Sequence, residues 1–193
     1  MKDTAIIWLK RFGRTVGIVA LLTGAWAGYL RLSGNFHPIE EGVIYRSAQL
    51  SGSQFAERIR ENGIKTIVNL RGNNTGRPWY DEEIKVSTAA GIQHIDYPIS
   101  SGRELTDDQV TELTGILRDA ARPLLIHCEG GSDRTGLTSA LYELLVAKRS
   151  FAEASAQLSF RYGHFPWLGS RTVAMDQTFE RVASKLKTAG EAD

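Results

Sequence analysis

The amino-acid sequence predicts an α/β fold in which a central, largely parallel β-sheet is flanked by helices, and it predicts a membrane helix before that fold. Short apolar strands alternate with segments of helical periodicity, a pattern that favours a parallel sheet. The strands are expected at residues 43–46, 64–70, 92–97 and 123–127. A long uncharged apolar run near the N-terminus indicates the membrane helix.

Length and composition limit the possible functions. The chain has 193 residues, of which 42% are hydrophobic, so it can bury the core of one domain of moderate size. Its formal net charge of +1 gives no overall positive field that would favour nucleic acid as a partner. The single cysteine cannot form an internal disulfide, and the four histidines lack the spacing of metal ligands. We therefore expect no metal, no cofactor and no nucleic acid.

The N-terminal segment is expected to lie outside the globular domain. Residues 1–14 are basic, and residues 15–30 carry no charge. This run is slightly shorter than the ~20 residues of a spanning helix, but Arg14 and Arg31 can extend the span by reaching towards the lipid headgroups. A single-pass anchor is the first interpretation. A cleaved signal peptide is the alternative, because Ala25-Trp26-Ala27 is a possible cleavage site.

Charge on the two sides of the run predicts its orientation. Basic residues precede it and Glu40 and Glu41 follow it, so the positive-inside rule places the N-terminus in the cytoplasm. Residues 31–42 are then expected to be a linker, residues 43–188 the globular domain, and residues 189–193 a frayed tail. The globular domain would lie on the far side of the membrane.

Capping residues and apolar periodicity delimit the helices. Ser51 or Ser53 can begin one helix, which Gly63 ends, and Thr106 with Gln109 forms the pattern of a capping box. The helices are expected at residues 55–62, 81–90, 106–121, 137–147 and 151–161, and a last helix carries a stripe of Met175, Phe179, Val182 and Leu186. Packing against a core explains that stripe without a cofactor site.

The stretch from Pro123 to Gly136 organises the rest of the sequence. Apolar residues 124–126 indicate a buried strand, a glycine-rich turn follows, and apolar residues at helical spacing begin after the turn. A turn of this kind lies over a helix N-terminus, where the backbone N–H groups of residues 129–134 can surround an anion. Gly130 and Gly131 are expected to supply the positive φ angles that such a turn requires.

Cys128 and Arg134 can converge on one bound phosphate group. The guanidinium of Arg134 can bind two equatorial oxygens. The positive end of the helix and the neighbouring cation favour the thiolate form of Cys128, which is the nucleophilic form. The pattern therefore indicates attack on phosphorus through a phosphocysteine intermediate. An inert buried thiol in a strand–helix turn is the alternative interpretation.

The motif H-C-x-x-G-x-x-R-T-G is formed here by His127, Cys128, Gly131, Arg134, Thr135 and Gly136. It resembles the signature of the cysteine-dependent protein tyrosine and dual-specificity phosphatase superfamily, in its bacterial type with an Asp before the arginine. The resemblance implies the compact dual-specificity version of the protein-tyrosine-phosphatase-like fold. It also implies hydrolysis of phosphomonoesters.

The resemblance assigns roles to the residues of the motif. Cys128 would be the nucleophile and Arg134 would bind the phosphate and the transition state. Thr135 would donate a hydrogen bond to the thiolate, although it could equally be a helix N-cap. His127 would support the loop, although an ordinary core histidine is an equal alternative. The rest of the phosphate-binding loop would be formed by Glu129, Gly130, Gly131 and Ser132.

Arginines outside the motif have two interpretations each. The string Y-R-S-A-Q, which contains Arg46, resembles the first strand of the compact branch, where the arginine supports the active site; a surface arginine on an edge strand is the alternative. Arg71 and Arg77 follow a strand and could line the pocket, but solvated loop arginines are the favoured interpretation.

The expected general acid is absent from its usual place. Relatives of this superfamily carry an Asp a few residues after an aromatic–proline pair, but residues 99–104, which follow Tyr97-Pro98, contain none. We favour Asp133, because an Asp directly before the loop arginine resembles the G-x-D-R-T branch, where it is proposed as the acid. Helix capping is the alternative role of Asp133. Asp96 and Glu104 are the other candidate acids.

A phosphorylated protein is the expected substrate. Glu129 and Asp133 offset the positive charge of the loop, which contains no lysine, and this favours a singly phosphorylated substrate over inositol polyphosphates. A phospholipid headgroup, such as phosphatidylglycerophosphate or a phosphoinositide, is the alternative because of the membrane helix. An inactive phospho-binding module is a third hypothesis for the function. Loss of Cys128 or Arg134 would mark such a module, and both residues are present.

The bacterial type of the motif also implies a location. The chain would be a single-pass protein of the bacterial inner membrane, with its catalytic domain on the periplasmic side. Secretion into the periplasm after signal cleavage is the alternative.

Overall fold

The computed structural model describes residues 2–190 and divides the chain into two units, residues 1–33 and residues 34–193. The first unit is helix α1, Lys2–Leu32. Its 23 residues Lys10–Leu32 have a mean hydropathy of 1.3 in their most apolar part, long and apolar enough to cross a membrane. At about 1.5 Å per residue, such a helix is about 35 Å long, and the hydrocarbon core of a bilayer is about 30 Å thick. A signal sequence has the same features.

The second unit contains the five-stranded sheet, with strand order β1-β2-β5-β3-β4. The strands are β1 His37–Glu40, β2 Ile44–Ser47, β3 Thr66–Asn69, β4 Gln93–Asp96 and β5 Leu124–His127. Strand β1 pairs antiparallel with β2, and the other pairs are parallel. The predicted α/β fold with a largely parallel sheet is therefore confirmed. Because the parallel strands end together, their carboxyl ends define one edge of the sheet for a site.

Strand β1 corrects the prediction that residues 31–42 are a linker. His37 pairs with Arg46, and Glu40 pairs with Ile44. The segment His-Pro-Ile-Glu lacks an alternating apolar pattern, so no local pattern predicted a strand there. A proline is tolerated in it because Pro38 lies on an edge strand.

The helices of the second unit are α2 Gly52–Asn62, α3 Pro78–Ala89, α4 Asp107–Asp119, α5 Asp133–Leu141, α6 Phe151–Ser155 and α7 Val173–Gly190. Capping boxes at Ser51 and Thr106 confirm the predicted starts of α2 and α4, and Gly63 ends α2 with a φ of 62°. Helix α3 begins earlier than predicted, with a proline in its first turn. The predicted tail lies partly within α7, and residues 191–193 lie outside the described residues.

Two predicted helices are shorter in the structure. Helix α5 gives way to a π-helical turn at Tyr142–Val146, and the segment predicted as helix 151–161 retains only α6 and a 3₁₀ turn at Phe160–Tyr162. The backbone carbonyl of Gln157 accepts a hydrogen bond from the Arg46 side chain instead of from a following helical N–H group. A tertiary contact therefore competes with the local helical preference.

The core lies on both faces of the sheet. Alternate residues of β5 point to opposite faces: Leu124 and Ile126 join the cluster with α4, α5 and α7, and Leu125 joins the cluster with α2. Met175, Phe179 and Val182 of α7 are buried as predicted, but Leu186 is 41% exposed. The helix therefore leaves the core before Leu186.

Candidate active site

The loop after β5 lies at the carboxyl edge of the sheet. Cys128 directly follows β5 and is only 3% exposed, and α5 begins at Asp133. Strands β2 and β3 flank β5, with Ser47 and Asn69 both paired to His127. The central strand and its neighbours thus fix the position of the thiol.

Three successive carbonyl groups of this loop are held from outside. The carbonyl of Glu129 accepts from the Gln49 N–H group (3.1 Å), that of Gly130 from Asn35 Nδ2 (3.1 Å), and that of Gly131 from Arg46 Nη2 (2.8 Å). Because the C=O and N–H groups of a trans peptide unit point in opposite directions, the following N–H groups turn towards the centre of the loop. The loop therefore has the arrangement of an anion-binding nest.

Gly131 is required by the close approach of another segment. Its φ is 70°, and a Cβ atom there would lie 2.6 Å from the Ala48 backbone N. Gly130 does not have a positive φ, and a Cβ there would meet only Ser132 Oγ at 3.3 Å. The prediction that both glycines supply positive φ angles is therefore wrong for Gly130.

Arg46 is buried beneath the loop, which excludes the surface interpretation. Its Nη1 donates to the carbonyl (2.9 Å) and to Oε1 (2.7 Å) of Gln157, and its Nη2 donates to the Gly131 carbonyl. The guanidinium lies 3.8 Å from the centroid of the Tyr162 ring. Complete burial lowers the pKa of Arg46 from 12.5 to about 10, so it stays a cation at neutral pH.

His127 is connected to other elements through a buried glutamate. His127 Nε2 lies 2.8 Å from Glu83 Oε1, and the same carboxylate binds His94 Nε2 (2.8 Å) and Gln49 Nε2 (2.8 Å). Burial by itself raises the pKa of Glu83, but the charge of His127 and these hydrogen bonds lower it from 4.5 to about 2. The hydrogen bond to Glu83 supports the interpretation of His127 as a residue that holds the loop.

Arg134 and Thr135 lie in the first turn of α5. Arg134 Nη1 donates to the Leu70 carbonyl at the end of β3 (3.3 Å). Thr135 is the third residue of α5 and Ser132 is the N-cap, so the prediction of Thr135 as an N-cap is wrong. Within residues 2–190, the buried Thr135 hydroxyl is one of the side-chain atoms without a hydrogen-bond partner. Such a hydroxyl remains available for a group bound in the loop.

The two loop arginines after β3 have different environments. Arg71 stacks on Trp79 with 3.5 Å from its guanidinium carbon to the ring centroid, and its Nη1 donates to Gln49 Oε1 (3.0 Å). Burial lowers the pKa of Arg71, and charges of the phosphate-binding loop, Glu129 first among them, act on it. Arg71 therefore faces the site, whereas Arg77 is exposed.

Two of the candidate acids are engaged elsewhere. Asp96 accepts hydrogen bonds from Asn69 Nδ2 (2.8 Å) and from the Tyr80 hydroxyl. The Glu104 side chain is 46% exposed and lies 3.4 Å from Arg181 Nε. Neither carboxyl contacts the loop that contains Cys128, so Asp133, at the junction of this loop and α5, is the one of the three candidate acids that adjoins the thiol loop.

Asp133 has a partner that the sequence did not reveal. Its Oδ1 lies 2.7 Å from His164 Nδ1, and the other ring nitrogen, Nε2, lies 2.9 Å from Asp176 Oδ2. His164 is 1% exposed. The row of carboxylate, imidazole and carboxylate connects the start of α5 with the start of α7.

The residues that sequence reasoning missed at this site are Asn35, Glu83, Gln157, His164 and Asp176. They occur on segments without a motif and reach the loop through tertiary packing. A buried polar residue cannot be distinguished from a solvated one by periodicity alone. Among the described residues 2–190, no group of three or more His, Cys, Asp or Glu side chains is arranged to hold a metal ion.

Comparison with known proteins places this geometry in a family. The curated dual-specificity protein phosphatase TpbA of Pseudomonas aeruginosa is 29% identical over 124 residues, which cover 63% of this chain and 52% of TpbA. The match thus spans about half the length of that relative. The crystal structure of TpbA in complex with phosphotyrosine matches with a TM-score of 0.59 at 22% identity, covering 78% of this chain and 91% of that one.

Two further solved structures have the same fold. The catalytic domain of the PP-IP phosphatase SIW14 from S. cerevisiae matches with a TM-score of 0.59 at 22% identity over 79% of this chain and 93% of that one. PTPMT1, solved in complex with PI(5)P, matches with a TM-score of 0.55 at 13% identity over 78% of this chain and 98% of that one. The family model described as "DSP-PTPase phosphatase fused to NAD+ Kinase" matches residues 33–175, about three quarters of the chain. The chain therefore belongs to this family of the cysteine-dependent protein tyrosine and dual-specificity phosphatase superfamily.

Proposed function

We propose that this chain is a phosphomonoester hydrolase that works through a phosphocysteine intermediate on Cys128. The observation that carries the proposal is the loop itself. Three of its carbonyl groups are held outward by Gln49, Asn35 and Arg46, so the N–H groups that follow them turn towards the centre of the loop, which begins at the buried thiol of Cys128. A phosphate dianion is the ligand that such a nest and a helix N-terminus bind.

The residues of the motif take separate roles in this reaction. Cys128 attacks phosphorus, while Arg134 and the loop N–H groups bind the equatorial oxygens and the charge that develops on them. The unpartnered hydroxyl of Thr135 donates to the thiolate when it departs from phosphorus in the second step. Arg46 and His127 hold the loop and do not touch the phosphate.

Asp133 is the proposed general acid. We expect Asp133→Asn to lower turnover roughly 10²–10⁴-fold for substrates with alkyl-like leaving groups, because these cannot depart without a proton. Turnover of p-nitrophenyl phosphate should fall far less, since p-nitrophenolate departs as an anion. The measurement is kcat for both substrate classes with wild type and variant. Equal losses on both classes would remove Asp133 from this role.

A phosphotyrosyl protein is the proposed substrate. The phosphate-binding loop contains no lysine, and Glu129 offsets part of its positive charge, which disfavours highly phosphorylated ligands. The stacked planes of Arg71 and Trp79 lie beside Gln49, which contacts the loop, and can pack against an aromatic ring. The related TpbA carries the name of a dual-specificity protein phosphatase and was crystallised with phosphotyrosine.

A phospholipid headgroup is the second candidate substrate, and exposed apolar side chains favour it. The segment that carries His164 also carries Trp167, which is 58% exposed, and Leu168, which is 95% exposed. Aromatic side chains of this kind are common at membrane interfaces. The candidate span in α1 would keep the domain close to a lipid surface.

The test is phosphate release by the detergent-solubilised full chain, with Cys128→Ser and Arg134→Lys beside it. The substrates are phosphotyrosyl peptide, phosphoseryl peptide, phosphatidylglycerophosphate in mixed micelles and inositol phosphates. We expect phosphotyrosyl peptide to be the best substrate and both variants to be inactive. Highest activity on the lipid would select the second candidate. If the folded protein releases phosphate from none of these substrates, a phospho-binding module would be favoured.

We also propose that α1 is an uncleaved anchor and that the catalytic domain faces the bacterial periplasm. The basic residues before the apolar run support this orientation. Mass spectrometry of the protein from a bacterial membrane fraction tests the anchor, and protease accessibility in spheroplasts tests the side. A mature chain that begins after Ala27 would identify a signal peptide instead.

A further inference from the structure

We propose that His164, held between Asp133 and Asp176, stores the proton that Asp133 delivers to the leaving group. This inference rests on the proposed function and concerns the origin of the catalytic proton. His164 acts through Asp133 and does not touch the substrate, so it is a positioning and proton-supplying residue.

The geometry around His164 is that of an imidazolium ion. Its Nδ1 lies 2.7 Å from Asp133 Oδ1 and its Nε2 lies 2.9 Å from Asp176 Oδ2. A neutral imidazole has one N–H group, so one of its nitrogens would direct a lone pair at a carboxylate oxygen. Only the protonated ring can donate to both carboxylates. With 1% exposure, the ring has little access to water that could replace either contact.

The helices on both sides favour this distribution of charge. Asp133 is the first residue of α5, and Asp176 lies in the first turn of α7. Carboxylates at a helix N-terminus are stabilised in their ionised form. Both helix N-termini therefore favour the arrangement in which the imidazole donates to the two carboxylates.

The charged groups that face His164 are Asp133 from α5 and Asp176 from α7. Burial lowers the pKa of His164, but the hydrogen bonds and charges of these two carboxylates raise it from 6.5 to about 9. The His164 backbone is held as well, since its N–H donates to the Ser159 carbonyl (3.2 Å).

Storage on His164 resolves a difficulty with Asp133 as an acid. A general acid must hold a proton when the leaving group departs, and a ring that donates to both Asp133 and Asp176 holds that proton on His164. A phosphate dianion bound in the loop adds negative charge next to Asp133, and this charge draws the proton of His164 towards the leaving group. The imidazolium then supplies the proton over a hydrogen bond that is already in place.

The proton transfer is balanced over the two chemical steps. The Nδ1–H bond of His164 breaks and an O–H bond forms on Asp133; that proton then passes to the leaving-group oxygen as its bond to phosphorus breaks. His164 is left neutral, with its Nε2–H group on Asp176. In the second step water attacks the phosphocysteine, its proton passes to Asp133, and from there it returns to Nδ1.

Two substitutions separate proton supply from structural support. His164→Asn retains an N–H donor near the position of Nδ1 but has no titratable proton. Asp176→Asn retains an oxygen that accepts from Nε2–H but removes the charge that stabilises the imidazolium. His37→Asn is the control, because His37 is a half-buried histidine that contacts the ring of Tyr162 and no carboxylate of this row.

The experiment measures kcat of the detergent-solubilised full chain from about pH 5 to about pH 10, for an alkyl-like phosphate and for p-nitrophenyl phosphate. His164→Asn should lower kcat for the alkyl-like phosphate roughly 10²–10⁴-fold, as Asp133→Asn does, and far less for p-nitrophenyl phosphate. In the wild type, kcat should fall at alkaline pH as His164 loses its proton; this fall is the alkaline limb of the pH profile. Asp176→Asn should move the alkaline limb to lower pH, and His37→Asn should leave it in place.

Two results would overturn the inference. One is an Asp176→Asn enzyme whose alkaline limb coincides with that of the wild type, and this result decides the matter even when His164→Asn does not fold. The other is a folded His164→Asn enzyme that loses equal activity on both substrates. Turnover that persists in Cys128→Ser would instead contradict the proposed function, so the two failures are distinguishable.

Discussion

Arg46 holds the phosphate-binding loop from below through contacts that only a planar guanidinium can make together. It donates to Gln157 through Nη1 and to the Gly131 carbonyl through Nη2 while it stacks on Tyr162. A lysine ammonium at the same place is a compact charge and cannot reproduce the fork or the stacking. The orientation of the Gly131 carbonyl, and with it of the next N–H group, therefore depends on this residue.

Replacement of Arg46 by lysine should weaken both the fold and the site. A hydrogen bond to a charged group contributes about 1.5–3 kcal/mol, and at least one is lost, so we expect the free energy of unfolding to fall by about 2 kcal/mol. The measurement is urea unfolding at neutral pH, together with kcat/KM. Arg60→Lys, at an exposed position of α2, is the matched control and should change stability by less than about 0.5 kcal/mol. Equal stability of the two variants would contradict this role.

At the scale of single residues, the sequence predicts the residues of the motif better than the distant residues that hold them in place. Cys128 and Arg134 lie in one short motif whose strand–loop–helix context is local. Asp133 and His164 are 31 residues apart, and Glu83 and His127 are 44 residues apart. Such pairs form only in the folded chain, and no local periodicity encodes them.

At the scale of elements, Glu83 connects α3 with two strands of the sheet. It lies inside α3 with a fully buried side chain and binds His94 of β4 and His127 of β5. Its pKa of about 2 lies below the ordinary 4.5, so its ionised form is stabilised by the folded state. This stabilisation is complete above about pH 4.5 and is lost as the pH falls from there through about 2.

Glu83→Gln should therefore change how stability depends on acid. At neutral pH we expect the variant to lose about 1.5–3 kcal/mol, because hydrogen bonds to a charged group become neutral ones. The difference from the wild type should shrink as the pH falls below about 4.5. Urea unfolding across this range is the measurement, with Glu82→Gln on the exposed face of α3 as the control. A difference that stays constant across the range would show that ionisation of Glu83 does not contribute.

The elements also differ in how far the sequence could predict them. Helices α2 and α4 begin at capping boxes, which are local hydrogen-bond patterns and were predicted correctly. Strand β1 could not be predicted, because its own sequence lacks an alternating apolar pattern. The strand is formed by its pairing with β2. The predicted helix 151–161 is not continuous for the same kind of reason, since Arg46 engages the Gln157 carbonyl.

At the scale of the whole molecule, the globular domain begins at residue 34 in the structure and not at residue 43, where the sequence predicted it. Asn35 is 1% exposed, and its side-chain amide donates to the Gly130 carbonyl and to the Tyr162 carbonyl (2.9 Å). The Gly34 carbonyl accepts from the Ala48 N–H group (2.8 Å). The residues directly after α1 thus help to hold the loop that contains Cys128.

Truncation should show this boundary. Removal of residues 1–32 is expected to leave a domain that unfolds cooperatively, because the second unit contains both core clusters. Removal of residues 1–42 also deletes β1 and the contacts of Asn35, so the urea midpoint should fall and activity should be lost. The two truncated forms are compared by urea unfolding and phosphate release. Equal midpoints would mean that residues 33–42 are a linker after all.

The central claim is that Cys128 is the nucleophile, and trapping of its phosphorylated form tests that claim most directly. The full chain is mixed with p-nitrophenyl phosphate, quenched in acid within one turnover and digested, and the peptide that contains Cys128 is analysed by mass spectrometry. We predict a phosphoryl group on Cys128 that forms with a burst of p-nitrophenol. Turnover without this adduct, or an adduct on another residue, would contradict the account.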